Sequence, residues 1–158
     1  MIFVTLGSQK FQFNRLLKEL DRLIAENKIQ DKIFAQIGYS DYKPEHYEYK
    51  DFLDRDEFKS IMSQSDIVIA HGGTGAIITA VKQDKKVIAI PRLAKYGEHV
   101  DDHQIQLVDE FKELNIIEPV YDEKDLERAI NDCKTKVYNK YVSNTESIVK
   151  DIEKIIEG

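Results

Sequence analysis

The sequence predicts an α/β fold in which a parallel sheet carries helices on both faces, and three observations lead there. Short, β-branched apolar runs bounded by glycine or proline recur at residues 2–6, 32–37, 66–70 and 86–90, the mark of strands buried on both sides. Amphipathic stretches with apolar residues at helical spacing lie between them. The two patterns alternate through nearly the whole chain, without an internal repeat, low-complexity tract or long linker.

Residues 2–6 (IFVTL) stop at Gly7-Ser8, the first strand-to-loop transition. From Asn14 onward Leu16, Leu17, Leu20, Leu23 and Ile24 recur with charged residues between them, so this stretch reads as an amphipathic helix. Residues 32–37 (KIFAQI) form a second strand closed by Gly38. Residues 47–52 form a weaker third, placed near a sheet edge because aromatic and charged residues alternate. Residues 54–63 suit a short helix with Phe58, Ile61 and Met62 on one side. The strand at 66–70 runs into His71-Gly72-Gly73-Thr74-Gly75, followed by a helix over 76–83. Pro91 stops the strand at 86–90. A polar loop (92–102), a helix (103–114), a last short strand centred on Ile116-Ile117 and a helix over 125–134 follow. A C-terminal helix over 144–157 carries Ile148, Val149, Ile152, Ile155 and Ile156 on one stripe, suited either to this domain's own sheet or to a docked partner.

A chain of 158 residues fits a single domain, 1–158, with a substantial core. A net charge of −6 argues against a general nucleic-acid binder, whose affinity comes from a basic surface. The lone cysteine, Cys133, reads as an incidental thiol in a reducing compartment. With no basic-then-apolar leader and no apolar run approaching the ~20 residues of a membrane helix, a cytoplasmic protein without direct membrane insertion is expected.

In parallel sheets of this kind ligands bind at the carboxyl ends of the strands. That rule gathers Gly7-Ser8, Gly38-Tyr39, Phe52-Leu53, His71 to Gly75 and Arg92 to His103 around one crevice. A glycine-rich turn between a buried strand and a helix start lets backbone N–H groups approach an anion, and the helix dipole favours negative charge there. The turn lacks both the Lys-Ser/Thr ending of a P-loop and the GxGxxG spacing of a dinucleotide fingerprint. His71 stands at the crevice rim, able to donate to a phosphate or sugar hydroxyl or to exchange a proton near neutral pH; the alternative is a histidine satisfied by backbone. In the polar cluster Glu98 to Gln104, His99 and His103 would stand at i and i+4 if helical, a metal-compatible spacing. There is no HExxH glutamate, and the acidic residues fit as N-cap and first-turn groups, so His103 and Gln104 read as hydrogen-bonding groups and no metal is expected. Arg92 and Lys95 could help neutralise a diphosphate, or be solvated surface charges.

The order of strand, HGGTG, helix, strand ending in IPR, polar loop, HQ and helix resembles the nucleotide-sugar-binding half of GT-B glycosyltransferases, the family 28 C-terminal domain of the MurG kind. FVTLGSQKFQFNRLL and AIPRLAKYGEHVDDHQIQLV are similar to the small, single-half, PssE-type subunits of bacterial capsule and exopolysaccharide synthesis. The chain also looks like the catalytic subunit of the eukaryotic two-part transferase that adds the second GlcNAc to a dolichol-linked sugar. The resemblance, over residues 1–120, implies a Rossmann-like domain corresponding to the donor-binding half of GT-B. It implies a UDP-sugar donor, no required cofactor, and Gly7 and Ser8 near the diphosphate. Phe52 and Leu53 would hold the uracil, His71, Gly72, Gly73, Thr74 and Gly75 the phosphates and ribose, and His103 and Gln104 the donor sugar; Arg92 and Glu98 join that set. Thr79 stands where many relatives keep a ribose-gripping glutamate, and a hydroxyl cannot make the bidentate contact of a carboxylate. The general base would come from a second, membrane-associated subunit that binds a lipid-linked saccharide acceptor, leaving His71 as this chain's own candidate. That partner would also recruit the chain to the inner face of the cell membrane.

Two other classes fit parts of the sequence. A non-catalytic flavodoxin-like association module would need the glycine turn only as structure. A metal-dependent hydrolase would be built on His99 and His103, against the absence of a full carboxylate set near the glycine turn.

Overall fold

The computed structural model describes residues 1–140; the helix expected at 144–157 lies outside them. Six strands form one parallel sheet: β1 (Ile2–Thr5), β2 (Ile33–Gln36), β3 (Glu48–Lys50), β4 (Ile67–His71), β5 (Lys86–Ile90) and β6 (Glu118–Pro119). Their order across the sheet is β3-β2-β1-β4-β5-β6, the doubly wound arrangement in which the chain reverses its direction of travel between β1 and β4. Val4 of the central strand β1 lies opposite Ala35 on one side and Ile69 on the other.

Among the described residues four α-helices connect the strands and a fifth follows β6: α1 (Asn14–Ala25), α2 (Arg55–Gln64), α3 (Thr74–Lys82), α4 (His103–Glu113) and α5 (Leu126–Cys133). Side chains alternate across each strand, so every strand feeds two cores. Ile2, Val4, Ile33, Ala35, Ile67, Ile69, Ile88 and Ile90 face Leu16, Leu17, Leu20 and Leu23 of α1 and Leu126, Ala129 and Ile130 of α5. Phe3, Val68, Ala70, Val87 and Ala89 face Met62 of α2, Ile77, Ala80 and Val81 of α3, and Val108 and Phe111 of α4. Both faces are therefore covered, as the continuous apolar strands require.

The buried thiol of Cys133, at the end of α5, donates to the Ile130 carbonyl and is pushed up to about 11 by burial, which leaves it protonated and inert. The edge position of the third strand agrees with the sequence reading. Most element ends shift by a residue or two, and two differences matter more. The last strand forms at Glu118–Pro119 rather than at Ile116-Ile117, which are buried against the α4 side of the sheet without pairing. Helix α3 begins at Thr74, so half of the glycine turn belongs to the helix. Among the described residues, no helix is long and apolar enough to cross a membrane.

Candidate functional site

The crevice opens at the switch point, where β1 gives way to Leu6-Gly7 and β4 ends in His71. The glycines here are spaces for neighbours. A Cβ on Gly73 would lie 2.3 Å from His71 Cε1, and one on Gly7, whose φ is +71°, would lie 2.7 Å from His71 Nε2. A Cβ on Gly72 would lie 2.9 Å from Gln104 Cβ. The His71 ring thus fills the gap between two glycines, and α4 approaches the β4–α3 turn as closely as a backbone permits.

Gln104, only 1% exposed, ties these pieces together. Its Oε1 accepts from the Gly72 N–H (3.1 Å) and from the Arg92 N–H (2.9 Å), the first residues beyond β4 and just past β5. With the amide oxygen taken by two donors, its NH₂ faces His71 Nδ1 at 3.3 Å. Nδ1 is therefore the acceptor, and the ring proton sits on Nε2. Burial, followed by the Arg92 charge, pushes His71 down to about 3, so the imidazole is neutral and the proton exchange near neutral pH expected of it does not hold. Among the described residues Nε2 has no acceptor, and it remains a neutral donor on the crevice floor.

Arg92 is also placed differently from the sequence reading, which put it beside a diphosphate or in solvent. Its guanidinium is 1% exposed and donates to the carbonyls of Leu6 (2.6 Å), Phe11, Gln12 and Glu98, which folds the β1–α1 loop around it. Burial pushes it down to about 10, against the pull of Glu98, so it is still cationic at neutral pH. Glu98, 0% exposed, accepts two bonds from Arg15 of α1 (2.9 and 3.0 Å) and one from the Leu93 N–H. Gln104, Arg92 and Glu98, expected as ligand contacts, turn their bonded groups to backbone, His71 or Arg15 and build the frame beneath the crevice, while Arg92 Nε is buried without a hydrogen-bond partner among the described residues.

What faces outward is the start of α3. Its N-cap, Gly73, offers no side chain and no side-chain cap bond forms, whereas Asp54 caps α2 by accepting from the Glu57 N–H. A Cβ on Gly75 would meet nothing within 4 Å. Thr74 Oγ1 is buried without a hydrogen-bond partner. Ser8 is exposed at the opposite lip.

Beside α3 lies a cleft of about 410 Å³ lined by Gln36, Leu53, Asp54, Phe58 and Thr79 among others. The Leu53 N–H already donates to Gln36 Oε1, and Thr79 gives its hydroxyl proton to the Gly75 carbonyl, so Thr79 can only accept from a ligand. Phe52 is exposed and meets Tyr39 edge to face at 5.2 Å, an aromatic pair on the rim. A larger cleft of about 710 Å³ lies along the outer side of α1. Its arginines are already paired, Arg15 with Glu98 and Glu123 and Arg22 with Glu19, which leaves little there for a ligand to satisfy.

His103 opens α4, with its ring against that of His99 and its Nδ1 hydrogen-bonded to Asp101. His99 precedes the helix, so the two histidines are not a helical i, i+4 pair. Lys95 is exposed over the Tyr96 ring. The sequence reading passed over Gln36, Arg15 and Asp101 as site groups. A polar residue ending an apolar strand marked Gln36; Arg15, one more charge on an amphipathic helix, carried no distinguishing signal.

Two outcomes check this geometry. Gly75→Ala should fold normally and gain about 0.5–1 kcal/mol, since a helical glycine is replaced where space is open. Gly73→Ala should lose about 2 kcal/mol or more in urea denaturation, because the buried His71 ring cannot move aside. The folded-state value of His71 lies below the unfolded one, so between them the unfolded chain binds more protons and stability falls as pH falls. From pH ~6.5 to ~5 this costs about 1.5 kcal/mol, and the stability of His71→Gln should follow a flatter pH profile over that window.

Known proteins share this fold. The profile of the glycosyltransferase family 28 C-terminal domain matches residues 1–157. No curated protein matches the sequence. Among solved structures, the glycotransferase of kitacinnamycin superposes with a TM-score of 0.61 at 13% identity, covering 99% of this chain and 38% of its own. MurG of Acinetobacter baumannii gives 0.60 at 15% identity, covering 96% of this chain and 49% of its own. SnogD from Streptomyces nogalater, a glycosyltransferase, gives 0.57 at 18%, covering 99% and 38%. At these identities the likeness is one of fold, and the chain spans less than half the length of each. The six-stranded parallel sheet is that of the GT-B C-terminal half, and with the family profile running almost end to end, the chain belongs to the glycosyltransferase family 28 C-terminal domain family.

Proposed function

We propose that this chain is the donor-binding half of a UDP-sugar-dependent hexosyltransferase, a PssE-type subunit of bacterial capsular or exopolysaccharide synthesis. It would transfer galactose, glucuronic acid or N-acetylglucosamine to a lipid-linked acceptor held by a membrane-associated partner subunit. The observation that carries the reading is the uncapped start of α3 at the switch point, with open approach over Gly75. Uncapped N–H groups, the helix dipole and the unpartnered Thr74 hydroxyl together favour a diphosphate.

In this reading the diphosphate lies across α3 and the Gly7-Ser8 lip, and the nucleoside enters the cleft lined by Leu53 and Thr79. Thr79 then accepts one bond from a ribose hydroxyl in place of a carboxylate's pair. His71 donates through Nε2 as a neutral group. Departure of the nucleoside diphosphate is assisted electrostatically: the helix N-terminus acts at close range and the buried Arg92 cation from below, shared with Glu98. The base that activates the acceptor belongs to the partner. The 144–157 stripe is the proposed docking element for that partner.

Calorimetry with UDP tests the reading. The wild-type chain should bind with a dissociation constant of about 10–1,000 μM. Gly75→Asp, which adds a carboxylate in open space at a helix start, should keep its thermal midpoint and bind at least about tenfold more weakly. Absence of UDP binding by the wild type, with or without the partner, overturns the proposal.

A further inference from the structure

We propose that His99, Asp101 and His103 form a binding site for one divalent transition ion of the zinc or cobalt class at the mouth of the crevice. One donor atom from each residue lies within 4.8 Å of the other two, the sole such cluster of three among the described residues. Both imidazoles turn Nδ1 toward the same carboxylate oxygen: His103 hydrogen-bonds to Asp101 Oδ1, and His99 lies 3.5 Å from it. The sequence reading, built on a helical His99–His103 pair, expected no metal. The structure brings the two together through the turn at Asp101 instead.

The donors are held in advance. The His99 side chain is 9% exposed, its ring centroid 5.4 Å from that of Phe11 and 4.6 Å from that of His103. Asp101 is held through its carboxylate, since Oδ1 accepts from the His103 N–H at 3.1 Å. Its side chain is 60% exposed, which leaves a solvent-facing coordination position beside it. An ion would replace the hydrogen bond joining His103 to Asp101 and the long one, 3.5 Å, that His99 Nδ1 accepts from the Asp101 N–H; a coordinating nitrogen is unprotonated, and the proton leaves to solvent.

Donor chemistry selects the ion. Two imidazoles and one carboxylate suit zinc, cobalt or nickel, whereas magnesium and calcium favour all-oxygen shells. Asp101 also shapes the start of α4 through its bond to the His103 N–H, and the test separates that structural part from metal binding. The proposal concerns the ion alone and does not rest on the reading of the crevice as a nucleotide-sugar site.

The experiment titrates the full chain, stripped with a chelator and free of phosphate, with Co²⁺ alone, following the visible ligand-field band. The expected result is saturation near one equivalent. His99→Ala and His103→Ala should each weaken binding at least about tenfold. Asp101→Asn, which keeps an oxygen for the His103 N–H but lowers the ligand charge, should weaken it about tenfold while circular dichroism stays unchanged. His46→Ala, at an exposed histidine away from the cluster, should bind as the wild type does. No band at an approximately tenfold excess of Co²⁺ overturns the proposal, as does a band that persists when His99 and His103 are both alanine. A band lost equally in His46→Ala also overturns it.

Discussion

The side-chain amide of Gln104 holds the switch point in shape. One oxygen accepts from the backbone just beyond β4 and just past β5, and one nitrogen fixes the tautomer of His71. The geometry requires backbone to approach side chain with no Cβ between, which is why Gly7, Gly72 and Gly73 stand where they do. An apolar residue at 104 would strand two buried N–H donors, each costing roughly 1–3 kcal/mol. The glycine turn is therefore first a packing device. Its ligand-facing part is reduced to the start of α3, which the same packing presents uncapped.

A second constraint is electrostatic. Arg92 places a cation under the sheet's carboxyl end, where an unpaired charge would be expensive, and four backbone carbonyls with Glu98 nearby make it tolerable. Glu98 is in turn shared with Arg15, so α1, the end of β5 and the loop before α4 are tied through one carboxylate. The same arrangement explains why His71 stays neutral. It stands in a dry site beside a fixed cation, and both effects oppose a second positive charge.

Much of the fold was legible because buried parallel strands are short, apolar and β-branched, and the helices between them are strongly amphipathic. The failures have specific causes. Ile116 and Ile117 announce burial, and burial was read as pairing, but the sheet bonds form just beyond them. The glycines suggested a loop, although Thr74 and Gly75 already lie in the helix. At the site, the sequence led to an expectation of Gly7-Ser8, Gly38-Tyr39, Phe52-Leu53, the HGGTG turn and Arg92 to His103 around one crevice, with Thr79 added by the resemblance. It could not tell who would take the hydrogen bonds of Gln104, Arg92 and Glu98, because that depends on segments up to 86 residues apart. Polar side chains near a ligand site look alike in sequence whether they touch the ligand or carry the wall behind it.

The two margins of the sheet are blunt. On one side β3 is three residues long and reads Glu-Tyr-Lys; on the other, β6 is two residues long and includes Pro119, which has no N–H to give. Neither offers a usable ladder of unpaired backbone groups. Extension of this sheet by a second protein's strand is therefore disfavoured at either described edge. Association is left mainly to helix faces or to the loops at the carboxyl ends of the strands, the same end of the molecule where the crevice opens. A companion seated there would roof the crevice as it docks, making complex formation and enclosure of the site a single event.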